Sequence, residues 1–255
     1  MLIRIDNRTE FISNFLSPVV KMSDSARIAI GPDNISALVA SADNSLILYA
    51  KTPQVNDAPD IINLNIPNVT RLINLLSCLT DTTVDIEFDD NRIMCRSGDL
   101  KFKYHLLDDD IISTPGINIE KIKKLDFNTS FFMTKDTMMQ VIKASSFTTD
   151  TDKLYISTDA TKVVGELTDK QQANVDSFSR PLSMSYNGDS ITEPVAINFE
   201  LLRMIGSLRI HRDCNIIIRI NRENGVTPVF IKWVIITSIE SVIRLYLILC
   251  AMRIN

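Results

Sequence analysis

Apolar and polar positions change period in a repeated order along this chain. In Glu193–Leu208, EPVAINFELLRMIGSL, Val195 and Ile197 alternate, Asn198 is a cap-type residue, and Leu201, Leu202 and Ile205 follow at helical spacing. Period two giving way to period 3.6 behind a polar cap predicts a strand running into a short amphipathic helix. Ile61–Leu76, IINLNIPNVTRLINLL, repeats that arrangement, with Ile62, Leu64 and Ile66 in the strand and Leu72, Ile73 and Leu76 on the helix. Pro67 suits the first turn, where its missing N–H has no partner, so this helix is predicted over Pro67–Leu79. The two stretches are about 131 residues apart, a spacing that suggests equivalent places in two copies of one unit.

The rest of the chain falls into register around them. Ile3–Lys21 predicts a helix, with Asn7 and Glu10 spaced as a capping box. Phe11, Ile12, Phe15, Leu16 and Val19 gather on one side of it, Glu10, Ser13, Asn14 and Ser17 lie opposite, and Pro18 ends or kinks it. Ala26–Ile30, Ile35–Ala40 and Ser45–Lys51 predict a meander, and Thr83–Phe88, Arg92–Arg96 and Leu100–Leu107 three further strands. Asp108–Asp126, DDDIISTPGINIEKIKKLD, keeps neither period and reads as a linker. Then FNTSFFM leads into a helix at Thr134–Ser145 with Met138, Val141 and Ile142 inward. Lys153–Thr158, Lys162–Leu167 and a strand near Asn174–Arg180 answer the meander, and Asn215–Ile220 answers Thr83–Phe88. Two terminal strands joined at Thr237–Ser241 close the unit. Landmarks recur in the same order at a shift of roughly 126–132 residues. The expectation is an α+β chain of two tandem domains, each with two helices packed on antiparallel sheets: domain 1 at 1–108, a linker at 109–126, and domain 2 at 127–255.

Charge and composition narrow the function. A formal net charge of −4 excludes a generally basic coat for nucleic acid, though not a localised basic face. The four cysteines form no Cys-x-x-Cys pair, which suits reduced thiols in a cytoplasmic protein. With two histidines a His-rich metal site is not expected. Met1–Asp6 has no secretory pattern, and Lys232, Glu240 and Arg244 interrupt the apolar stretch Val229–Met252, so neither a signal peptide nor a membrane span is expected. Seven glycines supply no phosphate-cradling loop. Asp89-Asp90 and Asp108-Asp109-Asp110 read as solvated turn carboxylates rather than metal pairs, and no nucleophile motif occurs. The expectation is a protein that is not an enzyme and needs no cofactor.

EPVAINFELLRMIGSL, KLYISTDATKVVGEL and LKFKYHLLDD, in this order around a central linker, resemble the sliding clamps of DNA replication, of the proliferating cell nuclear antigen and tailed-phage types. The resemblance spans the chain as architecture and implies the DNA clamp fold. It further implies a homotrimeric ring around double-stranded DNA, a processivity role that tethers DNA polymerase, and loading by a separate clamp loader ATPase. Low glycine and the compact linker lean towards a phage clamp. The implied compartment is the host cytoplasm for a virus or the nucleus for a eukaryotic cell. The helices and their ends carry seven basic residues, Arg8, Lys21, Arg71, Lys135, Lys143, Arg203 and Arg209, against three acidic ones, Glu10, Asp136 and Glu200. A positive helical layer in an acidic chain suits sequence-independent contact with phosphates. At 100° per residue Arg203, Arg71 and Lys143 point away from their apolar stripes, Lys21 and Arg209 sit at helix ends, and Arg8 and Lys135 lean to the apolar side.

The resemblance also implies head-to-tail pairing of edge strands, 101–107 of one subunit with 173–180 of the next, where Lys101, Lys103 and Arg180 guard the edges. It places a docking pocket beside the linker, with Leu46, Ile111, Ile112, Tyr246 and Met252 as its candidates; the apolar C-terminus departs from the charged tail of the eukaryotic clamps. Two other readings stay open: a structural ring or tube subunit of a phage particle, which needs no basic helical face, and a nuclease or other enzyme on a duplicated β fold.

Overall fold

The computed structural model describes residues 2–42, 46–53, 60–89, 91–109, 111–124, 126–148, 151, 153–170, 175–199, 215–220, 229–236 and 242–249. The chain divides into two compact units, Met1–Ile117 with Ile235–Leu245, and Asn118–Val234 with Tyr246–Asn255.

The first unit opens with strand β1 (Leu2–Ile5). A continuous helical run follows: α1 (Arg8–Glu10), a π-helical stretch (Phe11–Leu16) and α2 (Ser17–Met22). Strands β2 (Ala26–Ile30), β3 (Asn34–Ala40), β4 (Leu46–Pro53) and β5 (Ile62–Ile66), helix α3 (Val69–Ser77), and strands β6 (Val84–Asp89), β7 (Arg92–Ser97) and β8 (Leu100–His105) complete it. One antiparallel sheet has the order β1-β6-β7-β8, and β5-β2-β3-β4 are neighbours in a second. Strict alternation on β2 and β3 buries Ala26, Ile28 and Ile30, and Ile35, Ala37 and Val39, under the helices. Phe15, Leu16, Val19, Leu72 and Leu76 fill the layer above, and the Phe11 and Phe15 rings stack at 5.0 Å. Cys95 on β7 is buried, and burial pushes its thiol up to about 11.

Three expectations for the first helix are corrected. Ile3 and Ile5 belong to β1, paired with Ile86 and Val84, because period two governs them; the helix starts behind Asn7, whose side chain accepts from Glu10 N–H at 3.1 Å. Pro18 does not end the helix. In an α-turn its ring would meet the carbonyl four residues back, but the preceding stretch is π-helical, with Ser17 N–H donating to Ile12 C=O. The wider turns also bring Asn14, predicted on the polar face, into the buried layer. Likewise Asn68 rather than a proline-led turn begins α3, and Pro67 precedes the cap.

The second unit holds α4 (Ile119–Lys123), β9 (Thr129–Thr134), α5 (Lys135–Ala144), β10 (Lys153–Asp159), β11 (Lys162–Leu167), β12 (Phe178–Ser183), β13 (Asn187–Gly188), β14 (Val195–Asn198), β15 (Asn215–Ile220) and β16 (Val229–Ile236). A last strand, β17 (Val242–Leu249), follows. The short helix α4 lies within the stretch predicted to lack periodicity; the Asn118 side chain accepts from Glu120 and Lys121 N–H at its start. Sheet order is β12-β11-β10-β14, with β13-β9-β15-β16 as neighbours in a second. Met138 and Val141 of α5 are buried, with Phe131 and Met133 of β9.

Strand β12 starts four residues later than predicted and runs through Pro181. Asp176 and Ser177 supply turn chemistry rather than alternation, and proline is tolerated because β12 is an edge. The register slips between Val163 and Val164, and Leu182 folds over Gly165, where any Cβ would stand 2.8 Å from its methyls. Among the described residues no helix is long and apolar enough to cross a membrane.

Candidate functional site

Helix α3 exposes Thr70, Arg71, Asn74 and Ser77 along one stripe while burying Val69, Leu72 and Leu76. Its N-terminus is closed by its own cap residue, Asn68, and by groups from two other places, Asp24 and Tyr104. Asn68 N–H donates to the Tyr104 hydroxyl (3.0 Å), Val69 N–H to the Asp24 carbonyl (2.6 Å), Thr70 N–H to the Asp24 carboxylate (3.3 Å) and Arg71 N–H to the Asn68 side chain (2.6 Å). All the first-turn donors that a helix leaves without internal partners are therefore matched. The Tyr104 hydroxyl in turn donates to the Asn68 carbonyl at 2.7 Å, and burial leads the causes that raise its pKa. Arg71 thus projects from a fixed turn, on the exposed side of the helix.

The other predicted cations differ in their surroundings. Lys21 is exposed in the last turn of α2, where it complements the helix dipole, and partial desolvation lowers its pKa. Arg8 is half-buried, and its Nη1 donates to the Leu76 carbonyl at 2.8 Å, so it ties the first helix to the C-terminal turn of α3. In the second unit α5 shows Asp136, Gln140 and Lys143 on one stripe, with Lys143 exposed in the last turn and Lys135 half-buried in the first. Thr134 caps this helix through Thr137 N–H at 3.1 Å. Gln140 accepts a hydrogen bond from Arg180 of β12. Arg203 and Arg209 lie outside the described residues, as does most of the helix predicted behind Asn198.

A second feature is a cleft of about 250 Å³ in the first unit. Its walls are the end of α2 and start of β2 (Ser23, Ser25, Arg27), the end of β3 (Leu38–Ser41), and the linker residues Ile111, Ile112, Ser113 and Pro115. The Ile-Ile pair is divided: Ile112 is 8% exposed and packs down, whereas Ile111 is 61% exposed. Leu46 does not line the cleft; its backbone N–H donates to the Ser41 hydroxyl (3.0 Å), which does. Tyr246 falls on β17, its side chain outside the described residues, and Met252 is outside them altogether. Arg27 and the serines were missed by sequence reasoning. Arg27 is the polar position of an alternating strand, and nothing local shows that the linker returns to it.

Among the strands that end their sheets are β8 in the first unit and β12 in the second. Exposed Lys101, Lys103 and His105 alternate along β8 with inward Phe102 and Tyr104. Among the described residues no three His, Cys, Asp or Glu side chains come together in a way that would hold a metal ion.

No protein-family model and no curated protein matches the sequence. Among solved structures, the chain is similar to A. fulgidus PCNA bound to the C-terminal region of FEN-1, at a TM-score of 0.78 and 14% identity over 100% of this chain and 98% of that one. It is similar also to PCNA from Thermococcus kodakaraensis, at a TM-score of 0.76 and 14% identity over 98% and 99%. Agreement over the full length of both chains fixes the fold at an identity too low to carry function: the chain has the α+β fold of the PCNA sliding clamps.

Proposed function

We propose that the chain is one subunit of a DNA sliding clamp, a non-enzymatic ring that encircles duplex DNA, slides without sequence preference and tethers a DNA polymerase and other proteins. The observation that carries this reading is the full-length match to the PCNA fold. In it, clamp domains at 1–108 and 127–255 are joined by 109–126, three copies form the ring, and a separate ATPase loads it. Head-to-tail pairing of 101–107 with 173–180 is supported by β8 (Leu100–His105) and β12 (Phe178–Ser183) each standing at the end of its sheet.

Arg71 and Lys143, on the exposed polar stripes of α3 and α5, are the strongest candidates for phosphate contact, with Lys21, Arg203 and Arg209 assigned the same role. Lys135 ranks below these. Arg8 contributes positive field, because its guanidinium already serves the α3 carbonyl. Side-chain cations without base-reading groups give salt-sensitive contact that permits sliding. The cleft with Ile111 at its rim is the proposed docking place for partner segments, the role in which the FEN-1 C-terminal region is seen on the A. fulgidus protein.

Reversing Arg71 and Lys143 to glutamate tests the DNA face. Processive primer extension should fall at least tenfold, and each lost phosphate contact should flatten the dependence of log affinity on log salt by roughly 0.9. Sedimentation should show the same assembly as wild type. Full processivity in the double variant would contradict the assignment.

A further inference from the structure

The linker wall of the cleft is held by a device that its own sequence does not contain. Arg27 on β2 and Asn65 on β5 are directly opposite in the antiparallel register. Arg27 Nε donates to Asn65 Oδ1 at 2.9 Å, which sets both side chains in one plane of contact. This pair then grips the chain just beyond β8. The Asn65 carbonyl accepts from Leu107 N–H at 2.9 Å, Asn65 Nδ2 donates to the Asp109 carboxylate at 2.8 Å, and Arg27 Nη2 donates to the Asp109 carbonyl. Asn65 is 3% exposed, so its amide is committed to these partners at little competition from water.

The grip ends two residues before Ile111. Among the described residues from Ile111 to Ile117, the backbone adds a single donated hydrogen bond, Ile111 N–H to the Asp108 carbonyl at 3.3 Å. The position of the Ile111–Ser113 wall therefore depends on the anchor at Asp109 and on burial of Ile112. Arg27 also lines the cleft, so one side chain both forms a wall and holds the wall opposite.

We infer that Arg27 and Asn65 form a latch on Asp109 that sets the width of the docking cleft, making both of them positioning residues for the partner segment. The partner class is an extended peptide segment of another protein, and this part of the inference rests on the docking reading above. The latch on the linker stands on these hydrogen bonds alone.

The test uses the full chain, hydrogen–deuterium exchange across 106–117, and a synthetic peptide of the FEN-1 C-terminal region as probe. In Arg27→Met, which keeps the aliphatic stem, exchange in that window should speed up about tenfold and peptide affinity should fall about tenfold. Arg27→Lys separates charge from geometry: it should behave like Arg27→Met, because an ammonium cannot bridge Asn65 and Asp109 in the fork of a guanidinium. Asn65→Asp should release the linker by placing two carboxylates together. Adding Asp109→Asn should restore both readouts, since the amide then donates in the reverse direction. Unchanged exchange in Arg27→Met, or no rescue in the swapped pair, would overturn the latch. A wild-type chain that fails to bind the peptide would overturn the docking reading and leave the exchange result to decide the latch.

Discussion

Tyr104→Phe removes one oxygen from the first unit and should cost far more than its size suggests. The hydroxyl accepts from Asn68 N–H at 3.0 Å and donates to Asn68 C=O at 2.7 Å, while the ring is 6% exposed. Phenylalanine keeps the packing, so no cavity term enters. What is lost is two hydrogen bonds at the start of α3: the Asn68 carbonyl keeps Leu72 N–H, but the Asn68 N–H, a helix N-terminal donor, is stranded. A net hydrogen bond contributes about 1 kcal/mol and an unsatisfied buried group costs about 1–3 kcal/mol, so the expected loss is roughly 2–3 kcal/mol. Urea unfolding followed by far-ultraviolet circular dichroism measures it as a lower midpoint at unchanged slope. Tyr186→Phe is the control: its hydroxyl donates to the Ala160 carbonyl at 3.3 Å on an exposed surface, and its loss should stay within about 0.5 kcal/mol. Exchange at Asn68–Leu72 should accelerate in Tyr104→Phe alone. A loss below about 0.5 kcal/mol, or unchanged exchange there, would refute the claim that edge strand β8 holds the turn from which Arg71 projects.

Three further outcomes follow from other parts of the molecule. Burial raises the folded Cys95 thiol from an ordinary value of 9.0 to about 11, so in that window the folded state holds more protons and stability falls as pH rises, by up to about 3 kcal/mol; urea midpoints from pH 8 upward should show this slope, and Cys95→Ala should flatten it, Tyr104 adding a slope of the same sign. Gly188 has φ +95, and a Cβ there would come within 1.9 Å of the Asn128 carbonyl, so Gly188→Ala should detach β13 from β9 and lower stability by about 2 kcal/mol or more in thermal unfolding, whereas Gly98→Ala, with φ +56 and nothing within 4 Å, should cost about 1 kcal/mol. Arg8→Met should lower stability by about 1–2 kcal/mol in urea, through loss of a charged hydrogen bond to the Leu76 carbonyl, and change DNA retention less than Arg71→Glu does.

The duplicated α+β order was legible because local period carries it. Strands such as Ala26–Ile30 and Lys162–Leu167 alternate cleanly, and Asn7 marks a helix start by its own chemistry. The errors came where a non-local partner decides. Ile3 and Ile5 look like the front of a helix until β6 pairs with them. Pro18 reads as a terminator unless the preceding turn widens, which depends on the packing of Phe11 and Phe15 against the sheet. Arg71 and Lys143 were readable as outward cations from helical spacing, but Arg8 was not readable as a cap, because Leu76 lies 68 residues away. The cleft was half legible: Ile111-Ile112 drew attention as apolar residues in a polar linker. The long-range bonds that hold this segment against Arg27 and Asn65 leave no trace in local pattern.

The central claim is that copies of this chain close around DNA, and topology tests it most directly. The wild-type protein, with a clamp loader and ATP, is placed on nicked circular DNA and on the same DNA linearised, then washed at a salt concentration that strips non-topological contacts. The account predicts retention on the circle, rapid loss from the linear form, and loss from the circle upon cutting. Equal retention on both forms, or release from the circle at the same rate as from the linear DNA, would contradict it.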